Sequence, residues 1–320
     1  MADPAKARDH GGGLDAAVAQ YGGSRADWLD LSTGINPLAY HLPDIPSSFW
    51  TDLPDKNAQS ALLSAARSFW QVPDTCHILA ATGVSALIVQ LPRLAKSGAV
   101  HIQRPTYNEH EAAFRQQGWD IAPSGNARVY VHPNNPDGRQ FDAETILAQH
   151  RDLSIIDESF CDICPEASLI NLAQTPGIVI LKGLGKFWGL AGLRLGFAIA
   201  LPETITRLDT MLGPWAVSGP AQHIGTCALQ DTAWTDSTRA RLSRDAARLD
   251  CILTDANTTP LGGTDLFRLY SVKDAAQFQA NLARHHIWSR VFPYSKTWLR
   301  LGLPGEDADW NRLINALQET

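Results

Sequence analysis

The chain has 320 residues, 44% of them hydrophobic, and a formal net charge of -6. That length supports one large or two moderate domains with full cores. The even spread of both signs excludes the basic face or stripe of a nucleic-acid binder and points to a protein that handles small molecules.

At the N-terminus, Met1 to His10 is polar and lacks the apolar centre of a secretory signal. Apolar runs further on are broken by Gly, Pro or charge before a membrane-spanning length, so a cytoplasmic protein is expected. Gly11-Gly12-Gly13 and Gly22-Gly23 make residues 1–35 read as an irregular N-terminal arm. From Asn57 to Trp70 the pattern is helical, with Leu62, Leu63, Ala66 and Phe69 on one face. The rhythm then changes to short apolar runs separated by helix-length segments. His77–Ala81, Ala99–Gln103, Arg128–His132, Leu153–Asp157, Ile178–Leu181 and Gly196–Ala200 read as strands, and Ser85–Leu94 as a helix. Runs that do not alternate indicate a mostly parallel sheet covered by helices on both faces, an α/β large domain over 36–214. Between two of these strands stand Cys161 and Cys164. With no two further soft ligands at matching spacing they read as buried or half-buried thiols, and no metal is expected. The five cysteines form no disulfide framework, and the ten tryptophans are scattered as core and pocket walls. After Pro214 the chain turns more helical, with Ala233–Thr254 a charged amphipathic helix. Phe267–Val272 and Thr297–Leu301 read as strands of a smaller α+β domain over 215–320.

Ligands of an open α/β sheet sit beyond the strand carboxyl ends. Gly83-Val84-Ser85, Asn134-Asn135-Pro136, Asp157 and Lys186 all fall there. Thr82-Gly-Val-Ser85 opens a helix, whose free N–H groups suit a phosphate. Asp157 alone would be a common helix cap or turn former, and the Asn-Asn-Pro segment a common turn. Lys186 sits in a Gly-rich turn among aromatic and aliphatic residues, surroundings that lower an amine's pKa and make it a nucleophile. Taken alone it would also fit a loop lysine reaching for solvent.

The run Lys186-Phe-x-x-Leu-Ala-Gly-Leu-Arg-Leu-Gly196 resembles the cofactor-lysine segment of fold type I pyridoxal-phosphate (PLP) enzymes, the class I and II aminotransferases and their relatives. Pro133-Asn-Asn-Pro-Asp-Gly138, Ile155-Ile-Asp-Glu-Ser-Phe160 and Pro105-Thr-Tyr107 resemble further motifs of that family in the same order, and the likeness runs from His10 to Leu303. The resemblance implies a seven-stranded, mostly parallel sheet and PLP held by Lys186 through a Schiff base. By the same resemblance Arg194, with Gly83, Val84 and Ser85, binds the phosphate, Asn135 donates to the 3′ oxygen and Asp157 pairs with the ring nitrogen. Tyr107 stacks on the ring, and Phe160 takes the place of a tyrosine. A homodimer is implied, because the family's sites lie at a subunit interface.

Departures from the pattern remove hydroxyls. Gly183 and Gly185 stand where many relatives have Ser or Thr, and Leu53-Pro54 where they have Tyr-Pro. Lys182 then becomes a possible substitute charge for the phosphate. Trp28-Leu-Asp-Leu-Ser-Thr-Gly-Ile-Asn-Pro37, Pro105-Thr-Tyr-Asn-Glu-His110 and Trp298-Leu-Arg-Leu-Gly-Leu-Pro304 resemble one branch of the family, the threonine-phosphate decarboxylases of cobalamin biosynthesis. In that branch Arg300 would clamp the substrate carboxylate and Arg290 its phosphate, with His10 and Asn36 as further candidates. A histidinol-phosphate aminotransferase, which also binds an amine with a phosphate tail, is the second reading. A catalytically silent binding protein of the same fold is the third.

Overall fold

The computed structural model describes residues 10–319. Met1–Asp9, which begin the expected arm and nearly complete the stretch read against a secretory signal, lie outside the described residues. The described residues fall into two compact units, one spanning Ala39–Ser237 and the other joining 10–38 with 238–319. Residues 10–38 therefore group with the C-terminal residues and do not stand apart as an arm. Leu29–Asp30 pairs in parallel with Ile287–Trp288, and Gly302 N donates to Leu31 O at 2.7 Å. Between the two glycine runs, Leu14–Tyr21 is helical and buries Leu14 and Ala17 against Trp28 and Ala283.

The larger unit is built on seven strands. They are β1 (His77–Thr82), β2 (Ala99–Ile102), β3 (Asp120–Ile121), β4 (Ala127–Val131), β5 (Leu153–Asp157), β6 (Ile178–Gly183) and β7 (Leu195–Ala200), in the order β1-β7-β6-β5-β4-β2-β3. All neighbours pair in parallel except β7, which is antiparallel to both β1 and β6. Strands β5, β6 and β7 are buried at every residue, which is why their sequences run apolar without alternation. Leu79, Leu87, Phe114, Val129, Ile155, Val179, Leu181 and Ala198 form one core cluster there. Each Val, Leu, Ile or Phe side chain among them contributes roughly 1.5–3 kcal/mol on removal from water. The helix Lys56–Trp70 starts where Asp55 accepts from Ala58 N at 2.7 Å and stops at Gln71, which is left-handed with φ 51°. It packs against the helix Gly219–Gln230, so the chain beyond Pro214 still belongs to this unit.

The smaller unit carries a four-stranded antiparallel sheet of β8 (Thr259–Thr264), β9 (Phe267–Ser271), β10 (Arg290–Phe292) and β11 (Ser295–Gly302), ordered β10-β11-β9-β8. The helix Ala275–Arg284 packs on β11 and on the helix Asp307–Gln318. Among the described residues no helix is long and apolar enough to cross a membrane.

Candidate active site

The carboxyl ends of β1, β4, β5 and β6 open into one cavity of the larger unit. Gly83, Val84, Ser85, Tyr107, Asn135, Asp157, Phe160, Lys186 and Arg194 all line it, so every residue the family resemblance assigned to the cofactor is brought to one place. Ser159 and Leu190 also line it.

Asp157 ends β5 and is only 3% exposed. Its Oδ2 meets His110 Nε2 at 2.9 Å, and its Oδ1 accepts from Ser159 N at 3.0 Å and Ser159 Oγ at 2.5 Å. Burial pushes this carboxyl up, but the hydrogen bond and charge of His110 and the two Ser159 bonds outweigh it. Together they hold Asp157 below its ordinary value. His110 is fully buried on the helix Asn108–Gln116, three residues beyond Tyr107, whose ring it meets edge-on at 6.1 Å. His110 closes the Pro105–His110 segment, and no role for it follows from that segment alone. Its spacing, one turn into a helix that starts at a pocket-lining tyrosine, was the available signal.

Lys186 stands three residues beyond the end of β6, half-buried, with Nζ 5.4 Å from the centre of the Phe160 ring. Its turn is closed by Gly189 N donating to Lys186 O at 3.1 Å and Leu190 N to Leu184 O at 3.2 Å. On the other side, Gly83 has φ +77° and Arg194 is left-handed at φ 52°. A Cβ on Gly83 would lie 2.7 Å from Arg194 Nη2, so glycine lets the guanidinium close over the helix start. Arg194 Nη2 reaches Ser85 Oγ at 3.5 Å, and Nη1 reaches Ala191 O at 3.3 Å. In the Asn-Asn-Pro turn the two asparagines divide their work. Asn134 accepts from Thr106 Oγ1 at 2.6 Å and donates to Pro105 O at 3.0 Å and Asp137 at 2.7 Å, which fixes the loop while Asn135 lines the cavity.

Lys182 is not a substitute charge for the phosphate. It lies within β6, where alternation sends its side chain to the face opposite Gly183. There it is 2% exposed, with Nζ 2.5 Å from Glu158 Oε2 and 3.8 Å from Asp162 Oδ1. Burial pushes its ammonium down, but Glu158 and Asp162 together hold it above its ordinary value. Gly183 has no left-handed backbone, yet a Cβ there would lie 2.9 Å from Val84 Cγ2. At Gly185 the nearest atom is Ala191 Cα at 3.5 Å, an ordinary contact.

His132, Glu158 and Cys161 offer ligand atoms within 4.8 Å of one another, but they do not suit a metal ion. His132 Nε2 donates to Ala167 O at 2.8 Å and Nδ1 accepts from Phe141 N at 3.1 Å, which uses both ring nitrogens, while Lys182 occupies Glu158. Cys161 is buried, Cys164 half-buried, and both are free thiols.

In the smaller unit Arg290 and Arg300 are direct cross-strand partners on β10 and β11. Arg300 is 5% exposed and donates from Nη2 to Ser32 O at 2.6 Å, and Arg290 donates from Nη1 to His10 O at 2.7 Å. Burial, then repulsion from Arg290, pushes the Arg300 guanidinium down to about 10, which leaves it charged at neutral pH. His10 thus meets Arg290 through its backbone. Asn36 is buried, and its Oδ1 accepts from Arg241 Nη2 at 2.6 Å and from Leu38 N at 3.1 Å.

Residues 122–317 match the family model described as aminotransferase class I and II. The chain is 38% identical to the threonine-phosphate decarboxylase of Pseudomonas aeruginosa, over 97% of each chain. Among solved structures it resembles the histidinol-phosphate aminotransferase of Sinorhizobium meliloti in complex with pyridoxal 5′-phosphate, at TM-score 0.81 and 18% identity, covering 96% of this chain and 94% of that one. It also resembles the L-threonine-O-3-phosphate decarboxylase of Porphyromonas gingivalis, at TM-score 0.71 and 18% identity over 91% of this chain and 98% of that one. A match over more than half of the chain, with a near full-length relative beside it, places this protein in the aminotransferase class I and II family.

Proposed function

We propose that the chain is a PLP-dependent decarboxylase that converts L-threonine O-3-phosphate to (R)-1-amino-2-propanol O-phosphate and CO2, a step of cobalamin biosynthesis. The observation that carries the reaction is the near full-length likeness to a threonine-phosphate decarboxylase. The cavity carries the cofactor, because its donors match the cofactor's polar corners. Arg194 and Ser85 beside a helix start suit a phosphate. The buried, low-lying carboxylate of Asp157 suits a protonated ring nitrogen, the amide of Asn135 a ring oxygen, and the Lys186 amine an aldehyde.

When bound, PLP supplies an electron sink for negative charge at the amino acid's Cα. Every other task falls to the chain. Asp157, held ionised by His110 and Ser159, keeps the ring nitrogen protonated. Tyr107 would stack on the ring, and Phe160 and Leu190, which line the same cavity, would help to exclude water. Arg300 grips the substrate carboxylate through its planar fork, and Arg290 takes the phosphate. After CO2 leaves, the Lys186 amine returns a proton to Cα, so the product has gained one hydrogen where it lost the carboxylate.

The protein works in the cytoplasm as a homodimer. The large, exposed apolar side chains Leu42, Trp50, Leu53 and Trp215 support this, since a second copy would cover them. Purified protein incubated with PLP and threonine phosphate should release one CO2 per amine formed. Formation of a 2-oxo acid without CO2 would make it an aminotransferase. Absence of the yellow colour that marks lysine-bound PLP would make it a silent member of the family.

A further inference from the structure

We propose that Asp162 is a positioning residue for Lys186, tethering from behind the sheet the loop that carries the cofactor amine. This rests on the reading of Lys186 as that amine. Asp162 is 4% exposed in a short 3-10 turn, Cys161–Ile163, and belongs to none of the family motifs. Its Oδ2 accepts from the Trp188 indole Nε1 at 3.2 Å, and its Oδ1 accepts from Trp70 Nε1 at 2.9 Å. Lys182 Nζ stands 3.8 Å from Oδ1. One carboxylate therefore meets the chain four residues before Lys186 and two residues after it.

Composition makes that tether a side-chain anchor of the loop, beside the backbone bonds from Gly189 N to Lys186 O, Leu190 N to Leu184 O and Tyr40 N to Trp188 O. In Leu184–Leu193 the side chains other than Lys186 are Leu, Gly, Phe, Trp and Ala, so the Trp188 indole is the sole remaining side-chain hydrogen-bonding group of the loop. Apolar burial holds the loop against the body without fixing its register. Phe187 and Trp188 are wholly buried, and Trp188 stacks on Trp234 at 5.2 Å with 10° between planes. A stacked ring can slide in its plane, whereas a hydrogen bond at the ring edge pins it. Asp162 is the second carboxylate beside Lys182. Glu158 already pairs with Lys182 at 2.5 Å and accepts from Ser168 Oγ at 2.7 Å and Leu169 N at 2.6 Å. A second buried carboxylate beside one ammonium is costly unless it is used. The two indole hydrogen bonds help to offset that cost.

The test separates holding the pocket from aiming the amine. Pyridoxamine 5′-phosphate fills the pocket without bonding to lysine, and pyridoxal 5′-phosphate must be captured by it. With the full chain freed of cofactor, Asp162→Asn should capture pyridoxal phosphate about ten- to a hundredfold more slowly, read as growth of the yellow absorbance, because small misplacements of a reacting group have effects of that size. Its Kd for pyridoxamine phosphate should stay within about twofold. Trp188→Phe, which keeps a ring but loses the donor, should behave the same way and replaces Asp162→Asn if that variant does not fold. Trp70→Phe, which loses the other indole, should lower the thermal midpoint and leave capture unchanged. Equal loss of capture in Trp70→Phe and Trp188→Phe would overturn the proposal, as would parallel changes in capture and pyridoxamine phosphate affinity. So would normal capture by both Asp162→Asn and Trp188→Phe. Lys186→Ala is the separate control. If it still captured pyridoxal phosphate at the normal rate, the assignment of the amine would fail, and not the tether alone.

Discussion

Lys182 and Lys186 stand four residues apart on one run of chain, and the protein gives them opposite surroundings. Behind the end of β6, Lys182 is sealed among Glu158, Asp162 and the ring of Trp70, with its charge neutralised by the chain's own acids. In front of the same strand end, Lys186 lines a cavity whose wall holds a guanidinium, a buried carboxylate and an amide. A charge matched from within serves the fold, and a charge facing a cavity lined with complementary groups serves a ligand. Sequence distance does not separate the two cases. The pleat of one strand does.

The contrast breaks most sharply on exchange of the two lysines for neutral residues. Lys186→Ala should lower kcat by at least about a thousandfold and abolish the yellow absorbance, with little change in thermal midpoint. Lys182→Ala should do the reverse. It leaves two carboxylates buried without their cation, a change worth about 3–5 kcal/mol of stability in thermal or urea unfolding. If Lys182→Ala bleached the protein and Lys186→Ala did not, the assignment of front and back would be inverted.

The arginine pair of the smaller unit extends the same contrast to the substrate. Arg290→Ala should reduce kcat/KM for threonine phosphate by about ten- to a hundredfold, since a charge-assisted contact contributes about 1.5–3 kcal/mol. PLP affinity should hold, and Arg290→Lys should recover only part, because the planar fork is gone. Arg300→Ala should also impair threonine, which has a carboxylate and no phosphate. An equal effect of Arg290→Ala on both substrates would make Arg290 structural.

A smaller effect is expected at the glycines between the lysines. Gly183→Ser should destabilise by about 1–3 kcal/mol, the usual range for forcing atoms into a packed site, because its Cβ meets Val84. Gly185→Ser meets no close atom and should cost under about 0.5 kcal/mol, while adding a hydroxyl at the cavity wall. Tighter PLP binding by Gly183→Ser than by Gly185→Ser in a fluorescence titration would contradict that order.

The weakest signal is in pH. Asp157 lies below its ordinary 3.8 in the folded protein, so its contribution to stability is in place above 3.8 and is lost as pH falls through the lower folded value. Lys182 lies above its ordinary 10.5, so its contribution is in place below 10.5 and is lost as pH rises through the higher folded value. Thermal midpoints measured across pH should show a smaller acid arm in Asp157→Asn and a smaller alkaline arm in Lys182→Met than in the unaltered protein. Neither variant should add a slope near neutrality.

Much of the larger unit was legible because unalternating apolar runs are hard to read as anything but buried strands. Leu153–Asp157 matches its expected bounds, and the chemistry-bearing residues follow strand ends as the architecture requires. Lys182 was misread for a specific reason. Ending β6 at Leu181 placed it in a loop with a free direction, whereas two more strand residues give the pleat control of its side chain. The edge strand β3 has two residues and no pattern to find. The helix Gly219–Gln230 opens on Gly-Pro and carries buried Gly and Gln along its length, so composition hid its place in the larger unit. His110 needed a contact across 47 residues, which local periodicity does not encode.

The register of β10 and β11 has one further consequence. Two guanidiniums set directly across a ladder repel, and like charges in that arrangement weaken a strand pair. An anion that binds them removes this repulsion while it is held, so occupancy and folding become thermodynamically linked. A ligand at a hundred times its Kd stabilises the folded state by about 2.7 kcal/mol. Threonine phosphate, and inorganic phosphate more weakly, should therefore act as thermal protectants as well as occupants of the site. In a cell, substrate supply would then set how much of the enzyme survives as well as how fast it turns over.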